Sequence, residues 1–307
     1  MLLGRVLPFG LFVSFAGCAG CSDDVAPVPG LTADAGTAVD SAITSLDAAS
    51  LEDTGLSEAP VFTQESLQVG ARTRSFLLSV PSTYDKAKSY PLIYVMHGDG
   101  GNGPGLQKGV KFESVSKGDA ILVYPNGEGQ TWDLYGPLAT NKDIAFITTL
   151  TDALLARFSI DKKRVFMWGY SNGGFFANQF ACRKPNYLRA IAVQSGGAPY
   201  EPPENNAGKW PNGYAKCVPD EAPTPAIVFH GTADSAVTFD SGEFCAEYWR
   251  YVNQCKTSQT DVAPAPCKKF DDCTGETSVV FCAIQGAGHG IWKEAASASF
   301  SFFSQYR

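Results

Sequence analysis

Seven short apolar runs, separated by longer polar stretches, constrain the fold of this chain more than any other feature of its sequence. Several are hydrophobic almost throughout, which is typical of strands covered on both faces in a parallel sheet. We predict strands in RSFLLSV (74–80), PLIYVMH (91–97), AILVYP (120–125), RVFMWG (164–169), AIAVQS (190–195), PAIVFHG (225–231) and SVVFCAI (278–284).

Two segments between these runs have the pattern of helices. Residues 143–158 place aliphatic side chains on one face, and Asn141 or Asp143 is suited to cap the start of that helix. A second predicted helix covers residues 173–184 and stops before Pro185. This alternation predicts an α/β fold with a mostly parallel central sheet and helices on both faces. In such sheets the functional residues lie on loops beyond the carboxyl ends of the strands.

The first 21 residues, MLLGRVLPFGLFVSFAGCAGC, have the composition of a secretory signal peptide, with one arginine, an apolar run and then small residues. Within residues 1–21, the stretch FAGC resembles a bacterial lipobox, which predicts cleavage before Cys18 and a lipid anchor on its thiol. Phe15 departs from the leucine usual at that position, and Cys21 is a second candidate. Plain secretion is the alternative. We expect export, with no membrane contact except through this anchor.

Residues 22–60 consist mainly of small and acidic residues and contain no aromatic side chain. A segment of this composition cannot bury enough apolar surface to offset the entropy lost on ordering. We therefore predict a disordered tether over residues 22–60, followed by a single folded domain over residues 61–307.

Charge and cysteine content narrow the classes of partner. The net charge of −7 and the isoelectric point of about 5.0 disfavour nucleic acid, which requires concentrated basic residues. Seven cysteines follow the tether, and in an exported chain we expect disulfides, with at least one cysteine left over. These seven form no C-x-x-C pair beside a histidine pair, so we expect no metal. We also expect a monomer.

The fourth apolar run leads into Gly169-Tyr170-Ser171-Asn172-Gly173-Gly174, which contains the pattern G-x-S-x-G. The pattern alone is weak, but here a predicted strand precedes it and a helix of small residues follows. In a nucleophile elbow the strand turns so sharply into the helix that only glycine fits two residues either side of the serine. The sequence therefore predicts Ser171 as an exposed nucleophile, with the N–H of Asn172 directed at a substrate.

A serine nucleophile needs a base, and the chain has three histidines. In this architecture the order along the chain is serine, acid, histidine, which excludes His97. His230 lies inside a predicted strand and is expected to pack or hydrogen-bond at the strand end, which leaves His289 in the loop GAGHGIW. We predict Asp234, directly after a strand, as the acid that orients His289. The other candidate acids are Asp240, Asp261, Asp271 and Asp272.

The stretch HGDGGNGPG (97–105) fits two different functions. Its spacing G-x-G-x-x-G occurs in dinucleotide-binding turns, which would make the protein a nucleotide-dependent enzyme. However, Pro104 and Gly105 are expected to interrupt the helix that such a turn requires, and the strand AILVYP ends at Pro125-Asn126 with no acid for the ribose. We therefore expect an oxyanion loop, in which the N–H of Asp99 or Gly100 joins that of Asn172.

Several stretches together resemble secreted esterases of the polyhydroxybutyrate depolymerase and feruloyl esterase family. They are PLIYVMHGDGGN, KDIAFITTLTDALLARFSIDKKRVFMWGYSNGGFFANQFAC, VFHGTADSAV, EYWRYVNQC and GAGHGIW. The resemblance covers about residues 65–307. It implies an α/β-hydrolase fold, no metal or organic cofactor, cleavage of esters of polymers or polymer-linked phenolic acids, and the same three catalytic residues. It also implies a disulfide between Cys182 and Cys217.

One departure from the family concerns the substrate site. The family often has GGGHTWPG around the histidine, whereas this chain has HGIW with the tryptophan shifted by one residue and no proline. We predict substrate contacts from Trp132, Tyr135, Tyr170 and Trp292, and an activity of the feruloyl esterase type on plant cell-wall esters. The alternatives are a polyhydroxybutyrate or polyester depolymerase, an acetylxylan esterase and, from another class, a non-catalytic surface lipoprotein that binds a glycan.

Overall fold

One ten-stranded sheet runs through residues 60–199 and 207–306, the part of the chain that the computed structural model describes. The strands are β1 (Val61–Val69), β2 (Arg72–Val80), β3 (Tyr90–Met96), β4 (Ile121–Pro125), β5 (Ile160–Tyr170), β6 (Ala190–Gln194), β7 (Ala226–Gly231), β8 (Gln259–Asp261), β9 (Cys267–Phe270) and β10 (Val279–Ile284). The helices are α1 (Gly103–Val110), α2 (Phe112–Ser116), α3 (Lys142–Arg157), α4 (Asn172–Arg183), α5 (Phe239–Val252) and α6 (Ala295–Phe303).

The strand order across the sheet is β1-β2-β4-β3-β5-β6-β7-β10-β9-β8. The six strands from β4 to β10 in this order are parallel to their neighbours, and antiparallel strands extend the sheet at both edges. The carboxyl ends of β3, β5, β6, β7 and β10 therefore meet along one edge of the sheet, where binding and catalytic loops gather in folds of this kind.

The core lies on both faces of the sheet, because successive side chains of a strand point to opposite faces. On β3, Tyr94 and Met96 pack with residues of α3, α4 and α5, whereas Ile93 and Val95 pack with residues of α1, α2 and α6. The central strands are almost fully buried, which explains why they are hydrophobic throughout.

The α/β fold, the mostly parallel sheet and its helices on both faces are confirmed. Each of the seven predicted strands is present, and the two predicted helices correspond to α3 and α4. Asn141 caps α3, since its Oδ1 accepts hydrogen bonds from the N–H groups of Asp143 and Ile144 at 3.1 and 2.9 Å. The sequence did not predict α1, α2, α5, α6 or the edge strands β1, β8 and β9.

The expectation that Pro104 and Gly105 interrupt a helix was wrong. Helix α1 begins at Gly103, and Pro104 lies in its first turn, where a missing N–H costs no hydrogen bond. The side chain of Asn102 caps this helix by accepting a hydrogen bond from Gly105 N at 2.8 Å. The N-terminus of α1 therefore gives no reason to exclude a dinucleotide turn, and the absence of an acid at the end of β4 is the observation against it.

Three disulfides join six of the seven cysteines of this domain: Cys182–Cys217, Cys255–Cys273 and Cys267–Cys282. Cys245 is buried and free. The pairing implied by the family resemblance is thus present, with one cysteine left over as expected. No helix in the described ranges has both the length and the apolar content needed to cross a bilayer. The predicted signal peptide (1–21), the anchor at Cys18 and the tether up to residue 59 lie outside the described residues.

Candidate active site

Ser171 lies at the junction between β5 and α4, at the carboxyl edge of the sheet. Its backbone has φ 52° and ψ −120°, a conformation that non-glycine residues rarely adopt. Its N–H donates to Gln194 O on the neighbouring strand at 2.9 Å, and its carbonyl accepts from the first turn of α4. Strain of this kind concentrates at functional positions and persists only where the surrounding structure holds it.

The glycines of G-x-S-x-G are required by close backbone contacts. A Cβ on Gly169 would lie 2.1 Å from the carbonyl oxygen of Gly173. A Cβ on Gly173 would lie 2.5 Å from the carbonyl oxygens of both Met96 and His97 at the end of β3. The turn can therefore form beside β3 only when these positions carry no side chain, as the motif predicts.

His289 connects the serine to an acid. Its Nε2 lies 2.9 Å from Ser171 Oγ, and its Nδ1 lies 2.8 Å from Asp234 Oδ2. Because a carboxylate facing Nδ1 keeps the proton on that nitrogen, Nε2 is left as an acceptor directed at the Ser171 hydroxyl. Three side chains that are separated by up to 118 residues in the sequence thus form one continuous chain of hydrogen bonds.

Asp234 is held in place from both of its oxygens. Oδ1 accepts hydrogen bonds from the backbone N–H groups of Ala236 and Val237, both at 3.0 Å, and Oδ2 faces His289. Burial by itself would raise the pKa of Asp234, but the hydrogen bonds from His289, Val237 and Ala236 outweigh it and lower the pKa below the ordinary value of 3.8. The carboxylate is therefore ionised at neutral pH.

His230 adjoins the same carboxylate. Its position in a strand predicted that it would pack or hydrogen-bond at the strand end, and its Nε2 does donate to Val237 O at 2.8 Å. That nitrogen also lies 3.4 Å from Asp234 Oδ2, a proximity that the sequence did not reveal. Its Nδ1 is buried, with no hydrogen-bond partner among the described residues. Val237 O and Asp234 Oδ2 both face Nε2, so Nε2 carries a proton and acts as the donor.

The loop after β3 lies directly against the nucleophile. A Cβ on Gly98 would be 3.2 Å from Ser171 Cβ, so the first glycine of HGDGG allows this approach. The predicted oxyanion donor Gly100 is wrong, because its N–H already donates to Gln130 O at 2.9 Å. Within the described part of the chain, no acceptor is paired with the N–H of Asp99 or that of Asn172. Both groups remain available for an oxyanion.

His97 stabilises the shape of this loop. Its ring is buried, Nδ1 donates to Gly98 O at 2.7 Å, and Nε2 accepts from Gly127 N at 3.0 Å. Burial lowers the pKa of His97, although the Gly98 carbonyl and nearby carboxylates act in the opposite direction. His97 is therefore a neutral structural residue, which is consistent with its exclusion as the base by chain order, and it joins the loop after β3 to the loop after β4.

Trp132 is a correction to the predicted substrate contacts. Its side chain is only 3 % exposed, its ring stacks on Phe176 with centroids 5.2 Å apart, and its Nε1 donates to His97 O at 2.8 Å. Its backbone N–H donates to Asn172 Oδ1 at 2.8 Å. Trp132 thus belongs to the core beneath the elbow. The Asn172 side-chain oxygen is therefore engaged by Trp132, whereas the Asn172 backbone N–H is free to face a substrate.

The other predicted substrate contacts occupy different positions. Tyr170 is adjacent to the base: its ring centroid lies 5.3 Å from that of His289, and its hydroxyl donates to His289 O at 3.2 Å. Trp292 packs on Phe229 and lines a cavity of about 370 Å³ together with His289. Tyr135 is 56 % exposed on the loop between β4 and α3. The part played by these three side chains in substrate binding stays a prediction.

One group of potential metal ligands occurs in the described part of the chain, at Cys182, Cys217 and Glu221. The two sulfur atoms are bonded to each other in a disulfide, so neither is a thiolate that could bind a metal. This group also lies apart from the hydrogen-bonded chain of Ser171, His289 and Asp234.

This chain is similar to several known proteins. Residues 69–271 match a family model described as "Putative esterase". "Probable feruloyl esterase C" of Aspergillus clavatus is 26% identical over 247 residues, which cover 75% of this chain and 83% of the relative. "Feruloyl esterase C" of Emericella nidulans is 26% identical over 208 residues, covering 66% and 69%. The solved structure of the acetyl xylan esterase from Aspergillus awamori superimposes with a TM-score of 0.65 at 15% identity, covering 79% of this chain and 99% of that one.

Proposed function

Because this chain belongs to the esterase family whose model it matches, and is a carboxylic ester hydrolase of the α/β-hydrolase fold, we propose that Ser171, His289 and Asp234 catalyse its reaction. The observation that carries the proposal is the position of the His289 ring, with Nε2 2.9 Å from Ser171 Oγ and Nδ1 2.8 Å from Asp234 Oδ2. These distances are those of a nucleophile and its general base in an acyl-transfer site.

The reaction has two steps. In the first, His289 Nε2 accepts the hydroxyl proton of Ser171 while Oγ attacks the carbonyl carbon of the ester, which forms a tetrahedral intermediate. The imidazolium then donates that proton to the leaving alcohol oxygen as the C–O bond breaks, and the acyl group remains on Ser171. In the second step water attacks the acyl-enzyme with His289 as base, and the carboxylic acid is released. Asp234 stabilises the imidazolium in both steps.

The negative charge on the tetrahedral intermediate requires donors that are fixed before the reaction begins. The N–H of Asn172, at the start of α4, and the N–H of Asp99, in the loop beside Ser171, fill this role in the proposal. One such donor contributes about 3–4 kcal/mol of transition-state stabilisation. The reaction needs no metal or organic cofactor.

We assign the substrate class by similarity. The relatives named above are feruloyl esterases, which favours esters of phenolic acids linked to plant cell-wall xylan. An acetylxylan esterase or a polyester depolymerase such as a polyhydroxybutyrate depolymerase is the alternative within the same chemistry. A non-catalytic glycan-binding lipoprotein is the alternative from another class, and the ordered Ser171, Asp234 and His289 argue against it, because binding alone does not require them.

We also propose that the protein acts outside the cytoplasm as a monomer. The three disulfides are typical of an oxidising compartment, and the first 21 residues have the pattern of an export signal. The lipobox-like FAGC favours anchoring through Cys18. Mass spectrometry of the N-terminal peptide from the native host would detect the lipid on Cys18, and an unmodified Cys18 would favour plain secretion.

Labelling with a fluorophosphonate tests the catalytic proposal. We expect a covalent adduct on Ser171 in the wild type, none in Ser171→Ala, and strongly reduced labelling in His289→Ala. Ser301→Ala, which removes an exposed hydroxyl of α6, is the matched control and should label like the wild type. Unchanged labelling of Ser171→Ala would refute the assignment.

Release rates from methyl ferulate, acetylated xylan and poly-3-hydroxybutyrate would then distinguish the substrate classes.

A further inference from the structure

Gln194 is a buried polar residue at the carboxyl end of β6, beside both Ser171 and the loop that carries His289. It ends a strand that is otherwise apolar, and it is 1 % exposed. Its backbone carbonyl accepts the N–H of Ser171 at 2.9 Å, which fixes the backbone of the proposed nucleophile against β6. A buried amide side chain at this position requires partners, because an unpaired polar group away from water is costly.

The hydrogen-bond partners of the Gln194 side chain lie just after the proposed base, His289, in the sequence. Nε2 donates to Gly290 O at 2.9 Å, and Oε1 accepts from Trp292 N at 3.2 Å. Nε2 also lies 2.9 Å from Ser195 Oγ. Gly290 and Trp292 are one and three residues beyond His289. The same residue therefore contacts the nucleophile through its backbone and the loop of the base through its side chain.

The loop around His289 needs such contacts because its sequence, GAGHG, contains three glycines within five residues (286–290). Glycine populates many backbone conformations, and no atom lies within 4 Å of where a Cβ of Gly290 would be. On the N-terminal side the loop is fixed by two hydrogen bonds, from Gly286 N to Thr232 Oγ1 at 2.8 Å and from Ala233 N to Ala287 O at 2.9 Å. On the C-terminal side the loop is fixed by Gln194 and, more weakly, by Ser195, whose Oγ donates to Gly290 O at 3.4 Å.

We propose that Gln194 is a positioning residue, which sets the distance between Ser171 Oγ and His289 Nε2 by joining the two segments that carry them. This inference rests on the proposed function of Ser171 and His289. The role requires a group that donates to Gly290 O and accepts from Trp292 N at the same time. An amide does both, an ionised carboxylate only accepts, and a thioether does neither.

Two substitutions test this role. Gln194→Met keeps the length of the side chain but loses both hydrogen bonds. We expect kcat to fall about 10- to 100-fold with KM changed less than about threefold, because small misplacements of reacting groups have effects of this size. Fluorophosphonate labelling of Ser171 should slow by a similar factor. A kcat within about threefold of the wild type in correctly folded Gln194→Met would overturn the proposal.

Gln194→Glu gives a pH-dependent readout that general destabilisation would not produce. When the introduced carboxyl is ionised, its charge lies against Gly290 O, whereas the protonated acid donates to that oxygen again. We expect the ratio of variant to wild-type kcat/KM to be about tenfold higher at pH 5 than at pH 8. A ratio that does not change with pH would contradict the proposal, and it does so even if Gln194→Met fails to fold.

Asn253 offers a matched control. It is also a fully buried amide, and it accepts from Thr224 N at 3.0 Å and donates to Thr224 O and Thr277 O, both at 2.8 Å. These partners precede β7 and β10, at the opposite edge of the sheet. Asn253→Leu should lower Tm without changing kcat of the folded enzyme, and a matching kcat loss would show that Gln194 acts only through stability.

If Ser171→Ala keeps its activity, the proposed function itself fails. If that variant is inactive while both Gln194 variants behave like the wild type, only this inference fails.

Discussion

His230 Nε2 and Asp234 Oδ2 lie 3.4 Å apart, so the carboxylate oxygen that faces His289 also faces a second imidazole that is completely buried. The two histidines approach it differently. His289 directs Nδ1 at the carboxylate, whereas His230 hydrogen-bonds more closely to Val237 O, in the turn whose N–H groups bind the other oxygen. His230 thus stabilises the Asp234 turn from beneath the site, where it cannot touch a substrate.

Replacing His230 with an aromatic ring that cannot donate tests this role. In His230→Phe the Val237 carbonyl loses its donor, which we expect to lower the free energy of unfolding by about 1–3 kcal/mol and to lower kcat/KM. His230→Gln can place an amide N–H near the former Nε2 position and should recover part of both losses. Urea unfolding and steady-state kinetics measure the two effects. Equal behaviour of the Phe and Gln variants would argue against a hydrogen-bonding role.

His289 could be predicted from the sequence, whereas the contact of His230 could not. His289 was found by elimination and by its place after a strand, because chain order and strand ends fix which loops can meet. The contact between His230 and Asp234 could not be found in this way, since it depends on how the turn 234–237 folds back against β7. The sequence does mark His230 in one way, because it is a polar residue in an otherwise apolar strand. Gln194 carries the same mark.

Two predictions were wrong for the same physical reason: the oxyanion donor at Gly100 and the substrate contact at Trp132. Both depend on the loop between β4 and α3. In this loop Gln130 O accepts the N–H of Gly100, and Trp132 packs into the core. The position of that loop is fixed by Asp143, which accepts from Asp133 N and pairs with Arg74 of β2 in a buried ion pair. Contacts between segments this far apart in the chain produce no local pattern in the sequence. The β-strands, by contrast, produce apolar runs, and the elbow produces the motif G-x-S-x-G.

Asp234→Asn should disable the base while leaving the fold intact. The amide oxygen can still accept from Ala236 and Val237, but an amide N–H directed at His289 Nδ1 would favour the proton on Nε2. That tautomer points a proton at Ser171 and cannot accept one. We expect kcat to fall by about 10³- to 10⁴-fold with a Tm close to that of the wild type, measured by ester hydrolysis and calorimetry. A loss smaller than tenfold would mean that another acid orients His289.

Gly173→Ala tests whether the elbow depends on close backbone packing. The new Cβ would lie 2.5 Å from the carbonyl oxygens of Met96 and His97, so the start of α4 must shift away from β3. We expect a destabilisation of several kcal/mol, about 3 or more, together with loss of activity. Gly109→Ala in α1 is the control, because its Cβ meets nothing within 4 Å. Thermal unfolding should show a neutral or slightly stabilising effect there, of up to about 1 kcal/mol.

Glu221 is the buried acid with the clearest connection to stability. It lies four residues after the disulfide-bonded Cys217, whose N–H donates to Oε2 at 3.0 Å, and its Oε1 is 2.5 Å from Tyr248 Oη. Tyr248 in turn donates to Ala215 O at 3.2 Å. Tyr248 Oη donates to Oε1 when Glu221 is ionised; a protonated Glu221 donates to Tyr248 instead, which leaves the tyrosine hydroxyl to donate to Ala215 O. Burial raises the pKa of Glu221 to about 7, although its hydrogen bonds and Lys216 act in the opposite direction.

This shift makes the free energy of unfolding depend on pH. In the unfolded chain the Glu221 carboxyl ionises near its ordinary value of 4.5, whereas in the folded protein it holds its proton until about pH 7. Between these values the folded state binds more protons than the unfolded state, so stability falls as the pH rises. A shift of this size corresponds to a loss of about 3 kcal/mol, which is complete above pH 7.

Glu221→Gln should remove this dependence, because the amide donates to Tyr248 and accepts from Cys217 N at every pH. We expect the variant to match the wild type at pH 5 and to be more stable by about 3 kcal/mol at pH 8, in urea unfolding under non-reducing conditions. Glu276→Gln, at an exposed carboxylate paired with Arg189, should leave the pH dependence nearly unchanged. If wild type and Glu221→Gln lose stability in parallel between pH 5 and 8, Glu221 is already ionised in the folded protein, and the dependence must originate elsewhere.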